Sequence, residues 1–154
     1  MINYDVSADE IRQQFQDMLD FIITDEDDVM CRKLKLRIDG FEKENRTMLC
    51  SVPTEEWMSA PRRFVHGGII ATIMDQSMGL YSCTNTGGLT PTISLQISYL
   101  RSVPINDRMC IRVRLGSAGR SVNQVTAEAW IESEPGCLVA TSSGSFHVRK
   151  AQQK

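Results

Sequence analysis

Residues 66–83 read HGGIIATIMDQSMGLYSC, and between Arg63 and Arg101 the only charged side chain is the carboxylate of Asp75. The segment is too long for one ordinary strand and opens on two glycines, so it predicts a helix over 67–83. Its apolar residues Ile69, Ile70, Ala71, Ile73, Met74, Met78, Leu80 and Tyr81 occupy most of the circumference. A helix apolar on nearly every side has to be buried on nearly every side. In a chain of 154 residues, with room for one domain, a long sheet achieves this by curling around the helix.

The remaining sequence supplies that sheet. Ser7 and Glu10 are spaced as a capping box, and Ile11, Phe15, Met18, Leu19 and Ile22 recur at helical intervals, which predicts an amphipathic helix over 8–23. The acidic run at 25–28 lacks the spacing and glycine of a calcium loop and reads as a solvated connection. In RKLKLRI the period-two pattern predicts a strand with Leu34, Leu36 and Ile38 on one side, followed by a turn at Gly40 and a returning strand in NRTMLCSV. Four more strands are expected at 91–101, with Ile93, Leu95, Ile97 and Tyr99 on one face, and at 108–115, 121–131 and 137–148. The separators SVPIND, GSAG and SEPG are turn chemistry. Connections this short imply antiparallel pairing. The expectation is therefore one α+β domain over 1–154: a long central helix wrapped by a curved antiparallel sheet of about five to six strands. An extra N-terminal helix precedes it, and a frayed tail is expected at 149–154.

Composition narrows the function classes. A formal net charge of -2 does not suit phosphate neutralisation, so no nucleic-acid partner is expected. No window approaches the ~20 apolar residues of a membrane span. Cys31, Cys50, Cys83, Cys110 and Cys137 are odd in number and scattered without a C-x-x-C pair, which points to free thiols in a reducing compartment. The histidines are only two, His66 and His147, and no metal is expected. The first residues, MINYDVSADEIRQQF, are polar and give no secretion signal, so a cytoplasmic location is expected.

An ionised acid in an apolar helix is costly unless paired or hydrogen-bonded. Asp75 has a structural reading, at the edge of the buried face or across an oligomer contact, and a chemical one. The chemical reading draws on Gly67 and Gly68, whose backbone N–H groups lie at the first helical turn, without intrahelical partners and open to a substrate oxygen. Such donors suit a carbonyl becoming an oxyanion, and a carboxylate suits attack or water activation. Gly67 and Asp75, however, are separated by ~12 Å along one helix axis and by roughly 80° around it. If they cooperate, the donor and the acid come from different subunits.

The stretches FVHGGIIATIMDQSMG and PTISLQISYLRSVPIND resemble the hotdog-fold acyl-CoA thioesterases of the PaaI-like group over roughly residues 45–148. His66, Gly67, Gly68 and Asp75 match that group's H-G-G and downstream acid, and Leu100, Arg101, Pro104 and Asp107 match its second block. The resemblance implies that Asp75 is the catalytic nucleophile or general base, that Gly67 gives the oxyanion N–H, and that Thr92 positions water or the acid. It implies that His66, Gly68, Arg120 and Arg101 bind the substrate, His66 by shaping the helix entry and Arg120 near the CoA phosphates. The implied substrate is an acyl-CoA or acyl-carrier thioester; no cofactor is expected beyond the CoA of the substrate. The implied assembly is a homodimer or homotetramer. One departure stands out: where many members carry a side-chain amide six residues before the histidine, this chain has Ala60, and Ser59 or a water would have to replace it. Arg62 and Arg63 are a further addition that could meet an anionic part of the substrate. A hotdog hydratase or dehydratase and an acyl-CoA-binding protein of feeble turnover are the alternatives. For Cys83, a buried structural thiol is the reading preferred to a nucleophile.

Overall fold

The computed structural model describes residues 1–25 and 28–148. The tail at 149–154, and Glu26 and Asp27 of the acidic run, lie outside the described residues. Helix α1 (Ala8–Ile23) begins with the capping box anticipated from sequence: Ser7 Oγ accepts the Glu10 N–H and Glu10 Oε2 accepts the Ser7 N–H. Its seam Ile11, Phe15, Leu19 and Ile22 is buried. Phe15 anchors that seam, with its ring centroid 5.0 Å from Tyr81 and 5.7 Å from Phe41.

The next element corrects the sequence reading. Val29–Leu34 is a short helix, α2, because the Asp28 carboxylate caps it by accepting the Cys31 N–H at 3.0 Å. Cys31 and Leu34, three positions apart, then share the buried side. Lys35 ends it in the left-handed conformation, so the strand β1 begins only at Arg37 and runs to Glu42. Leu34, Leu36 and Ile38 are all buried as their pattern required, but from two elements rather than one. Gly40 is not a turn either: it sits inside β1 at a bulge, and the reversal occurs at 43–46.

Strand β2 (Thr47–Pro53) leads through a 3-10 turn at Glu56–Met58 into helix α3, Gly67–Thr86, three residues longer than expected. Then follow β3 (Thr92–Tyr99), β4 (Arg108–Ala118), β5 (Val122–Ile131) and β6 (Leu138–His147). The six strands form one antiparallel sheet in the order β1-β2-β4-β5-β6-β3. Helix α3 packs along it through Ile70, Ile73, Met74, Met78, Leu80 and Tyr81, all buried, and α1 closes the β1 end of the core.

Burial of α3 is not complete. Gly67, Gly68, Ala71, Thr72, Asp75, Gln76 and Gly79 form a partly exposed stripe, alternating at three and four residues. Beside it lies β3, whose far edge is unpaired among the described residues. The large apolar residues left in water include Phe64, Ile93, Tyr99 and Leu100, which cluster along this side.

Register explains how β3 presents its side chains. Leu95, Ile97 and Tyr99 oppose Gly144, Ser142 and Ala140 of β6, on the helix side as the alternation predicts. Ile93 does not join them: it is the extra residue of a bulge between Thr92 and Ser94 and is 55% exposed. Thr92 instead opposes the buried Phe146, so the bulge swings Thr92 onto the helix face.

Candidate active site

The bulge brings Thr92 to Asp75. Thr92 Oγ1 donates to Asp75 Oδ1 at 2.9 Å. Burial pushes the Asp75 carboxyl above its usual range, and the Thr92 bond opposes part of that shift by favouring the ionised form. The lone acid is thus half-buried, hydrogen-bonded and raised in basicity. It opens onto a depression of about 290 Å³ lined by Asp75, Gln76, Gly79, Leu80, Leu89 and Thr92 among others.

At the other end of the stripe, His66 is the N-cap of α3. Its Nδ1 accepts the Gly68 N–H at 3.0 Å, and its carbonyl accepts the N–H groups of Ile69 and Ile70. Three of the first four amides of the helix are therefore engaged. Among the described residues no acceptor meets the N–H of Gly67. Gly68, expected at the substrate end, spends its donor on the histidine. Tyr99, which sequence reasoning placed only on a strand face, lies against Gly67: its hydroxyl donates to the Gly67 carbonyl at 3.0 Å. A β-carbon added at Gly67 would sit 3.7 Å from the Tyr99 ring, ordinary contact. The only sequence signal for Tyr99 was its terminal place in the apolar alternation of β3.

Gly67 and Asp75 open onto separate depressions. The one at Gly67, about 390 Å³, is lined by Phe64, Val65, Ile70, Tyr99, Leu100 and Arg101 among others. Arg101 is thus near Gly67, with Nη1 donating to the Leu138 carbonyl at 2.6 Å. Arg120 lies in the β4–β5 turn, exposed and lining neither depression. Cys83 borders the Asp75 depression, but its sulfur accepts the Thr90 N–H at 3.4 Å and is buried.

The loop before the histidine is closed by its own backbone. The Ala60 N–H donates to the Phe64 carbonyl at 2.7 Å, and the Ala60 carbonyl accepts the Arg63 N–H and the Ser59 hydroxyl. Ser59 is therefore turned toward Ala60 and not toward either depression. Arg62 and Arg63 both hold positive φ, 70° and 61°, and Arg63 pairs with Glu56. Among the described residues no group of three or more His, Cys, Asp or Glu side chains could hold a metal ion, and no helix is long and apolar enough to cross a membrane.

A long helix gripped by a six-stranded antiparallel sheet, with an acid on its open stripe and a free amide at its start, is a hotdog fold. Residues 63–138 match the family profile described as the thioesterase superfamily. Among solved structures, the chain is similar to the Escherichia coli PaaI protein of the phenylacetic acid degradation operon. The identity is 14% and the TM-score 0.76, with 90% of this chain and 96% of that one covered. It is similar to a Streptococcus mutans protein bound to acetyl CoA at 25% identity and TM-score 0.65, covering 75% and 89%. Zebrafish thioesterase superfamily member 2 aligns at 18% identity and TM-score 0.72, covering 94% and 99%.

Proposed function

We propose that this protein hydrolyses acyl-CoA thioesters at a site built from two copies of the chain. The observation that carries the reading is the Thr92–Asp75 hydrogen bond, because it gives the one acid of α3 a fixed orientation and a water-facing position. The free Gly67 N–H adds a donor for the thioester oxygen. The acetyl CoA held by the similar Streptococcus mutans structure supports a CoA thioester as substrate.

In this mechanism Asp75 takes a proton from water while the water oxygen attacks the thioester carbonyl, whose developing negative charge faces the Gly67 N–H of the other copy. The C–S bond then breaks, the electron pair leaves with sulfur, and the proton passes to the thiolate, giving a free acid and CoA. Direct attack by the Asp75 carboxylate, forming an anhydride that water opens, uses the same geometry; 18O from solvent entering Asp75 during a single turnover distinguishes it. A raised carboxyl pKa makes Asp75 the stronger base in either case. The separate depressions at Gly67 and Asp75 suit two antiparallel α3 helices, and the open β3 edge with Tyr99 and Leu100 suits pairing in a homodimer or a dimer of dimers. The free, scattered thiols suit a reducing compartment such as the cytoplasm.

Release of free thiol from acyl-CoA by wild type, falling at least a hundredfold in Asp75→Asn, is the expected result. Equal rates would remove Asp75 from the chemistry. Ala60, which offers no side-chain amide, favours a second reading, an acyl-CoA-binding protein of feeble turnover; tight binding with no thiol release in wild type would establish it. Mixing Asp75→Asn chains with chains blocked at Gly67 by Gly67→Val should restore part of the activity through hybrid dimers, and a lack of recovery in verified hybrids would refute the two-copy site.

A further inference from the structure

The depression at Asp75 does not end there. Along α3 it passes Gly79, Leu80 and Cys83 to Ile22 and Leu89, and a second depression of about 240 Å³ continues from Ile22 and Leu89 to Phe21. Asp28 borders both, with one carboxylate oxygen turned to the α2 cap through the Cys31 N–H. The floor is open at one chosen point: a β-carbon placed on Gly79 would meet only Phe146 Cε1, at 3.5 Å.

Phe21 is the anomaly that gives this path a meaning. The buried seam of α1 is Ile11, Phe15, Leu19 and Ile22, and Phe21 stands off it, 61% exposed at the last turn. Leu89, 55% exposed in the connection between α3 and β3, borders the same depression. Two large apolar side chains held in water at the end of a trough that begins at the reacting carboxylate are placed to cover an apolar group arriving from that carboxylate.

We infer that the acyl chain of the substrate runs from Asp75 past Gly79 to the C-terminal end of α1, and that Phe21, Ile22 and Leu89 read its length in favour of medium to long aliphatic chains. This rests on the proposed thioesterase reading and extends it from the reacting atoms to the acyl group. The continuity of the two depressions with the Asp75 site argues for the acyl chain as occupant, because a chain leaving the thioester carbonyl has Leu80, Leu89, Ile22 and Phe21 along the trough beside it, with Thr24, Asp25 and Asp28 at its far rim.

Each methylene that leaves water should raise kcat/KM about fourfold, so the ratio of dodecanoyl-CoA to butyryl-CoA hydrolysis reports how far the trough is used. In wild type the ratio should exceed ten. In Leu89→Asp and Phe21→Asp, exposed positions whose replacement leaves the core intact, it should fall at least tenfold, and in Gly79→Leu, which fills the floor, it should fall further. Calorimetric binding of the same two thioesters to Asp75→Asn supplies the measurement without turnover, and its affinity ratio should fall equally when Leu89→Asp is added. A wild-type ratio near one, or variants that leave the ratio unchanged, would overturn the inference. Butyryl-CoA hydrolysis that depends on Asp75 but shows no length preference would leave the thioesterase reading standing and remove only this one.

Discussion

Replacing Thr92 by valine removes one hydroxyl and little else. Both side chains are branched at Cβ and similar in shape, and Thr92 is exposed at the start of an edge strand, so stability should change by no more than about 0.5 kcal/mol. What disappears is the 2.9 Å bond to Asp75. Hydrogen bonds to a charged group contribute about 1.5–3 kcal/mol, and the half-open setting of this pair places it at the lower end of that range. About 1.4 kcal/mol corresponds to a tenfold change in rate. A fall of roughly tenfold in kcat/KM is therefore expected, measured as thiol release from a single acyl-CoA. The pH profile sharpens the test. The hydroxyl favours the ionised carboxylate, so its loss leaves burial unopposed and moves the acid limb of the profile to higher pH. Thr92→Ser, which restores the donor, should return both rate and limb toward wild type. A valine variant with wild-type rate and an unmoved acid limb would refute the claim that this bond sets the state of Asp75.

Asp75→Asn should make the protein more stable at neutral pH while abolishing its activity. The folded carboxyl titrates above its usual 3.8, so its ionised form opposes folding; that cost is absent well below 3.8 and grows as pH rises toward the folded value. Urea midpoints should favour the Asn variant at pH 7 and converge near pH 3, and a variant less stable at pH 7 would contradict the sign. Phe15→Ala should destabilise by about 3–5 kcal/mol, because Phe15 is wholly buried between Tyr81 and Phe41. A loss below about 1 kcal/mol in equilibrium unfolding would mean that α1 is an appendage and not a wall of the core.

The parts of this fold that were legible in the sequence are those set by local periodicity and local capping. The α1 seam and its Ser7–Glu10 box need only residues within a few positions of one another, and the all-round apolarity of α3 required a wrapping sheet. Reading failed where a local alternative had equal claim. RKLKLRI alternates like a strand, but Asp28 upstream captures the Cys31 N–H and turns its first residues into a helix. Gly40 carries a turn-forming residue's signature, yet the strand pairs it with Leu49, just past a bulge at Asp39. The site shows the same division. Asp75 announced itself as a charge out of place, and the gap to Gly67 was arithmetic. The engagement of Gly68 by His66, the Tyr99 hydroxyl on Gly67 and the course of the trough to Phe21 all depend on contacts between residues far apart or on side-chain rotation, which spacing does not encode.

The bulge at Ile93 has a consequence for how such a protein can be altered. The sheet reads β3 from Leu95 onward, where parity with β6 holds the apolar residues inside; the chemistry reads it at Thr92, on the other side of the extra residue. A slip that closes the bulge, so that Ile93 takes the place opposite Phe146, would keep every apolar match downstream and turn position 92 outward. Folding and competence at Asp75 are thus written in two reading frames of one strand, and a single-residue slip can silence the second while leaving the first legible.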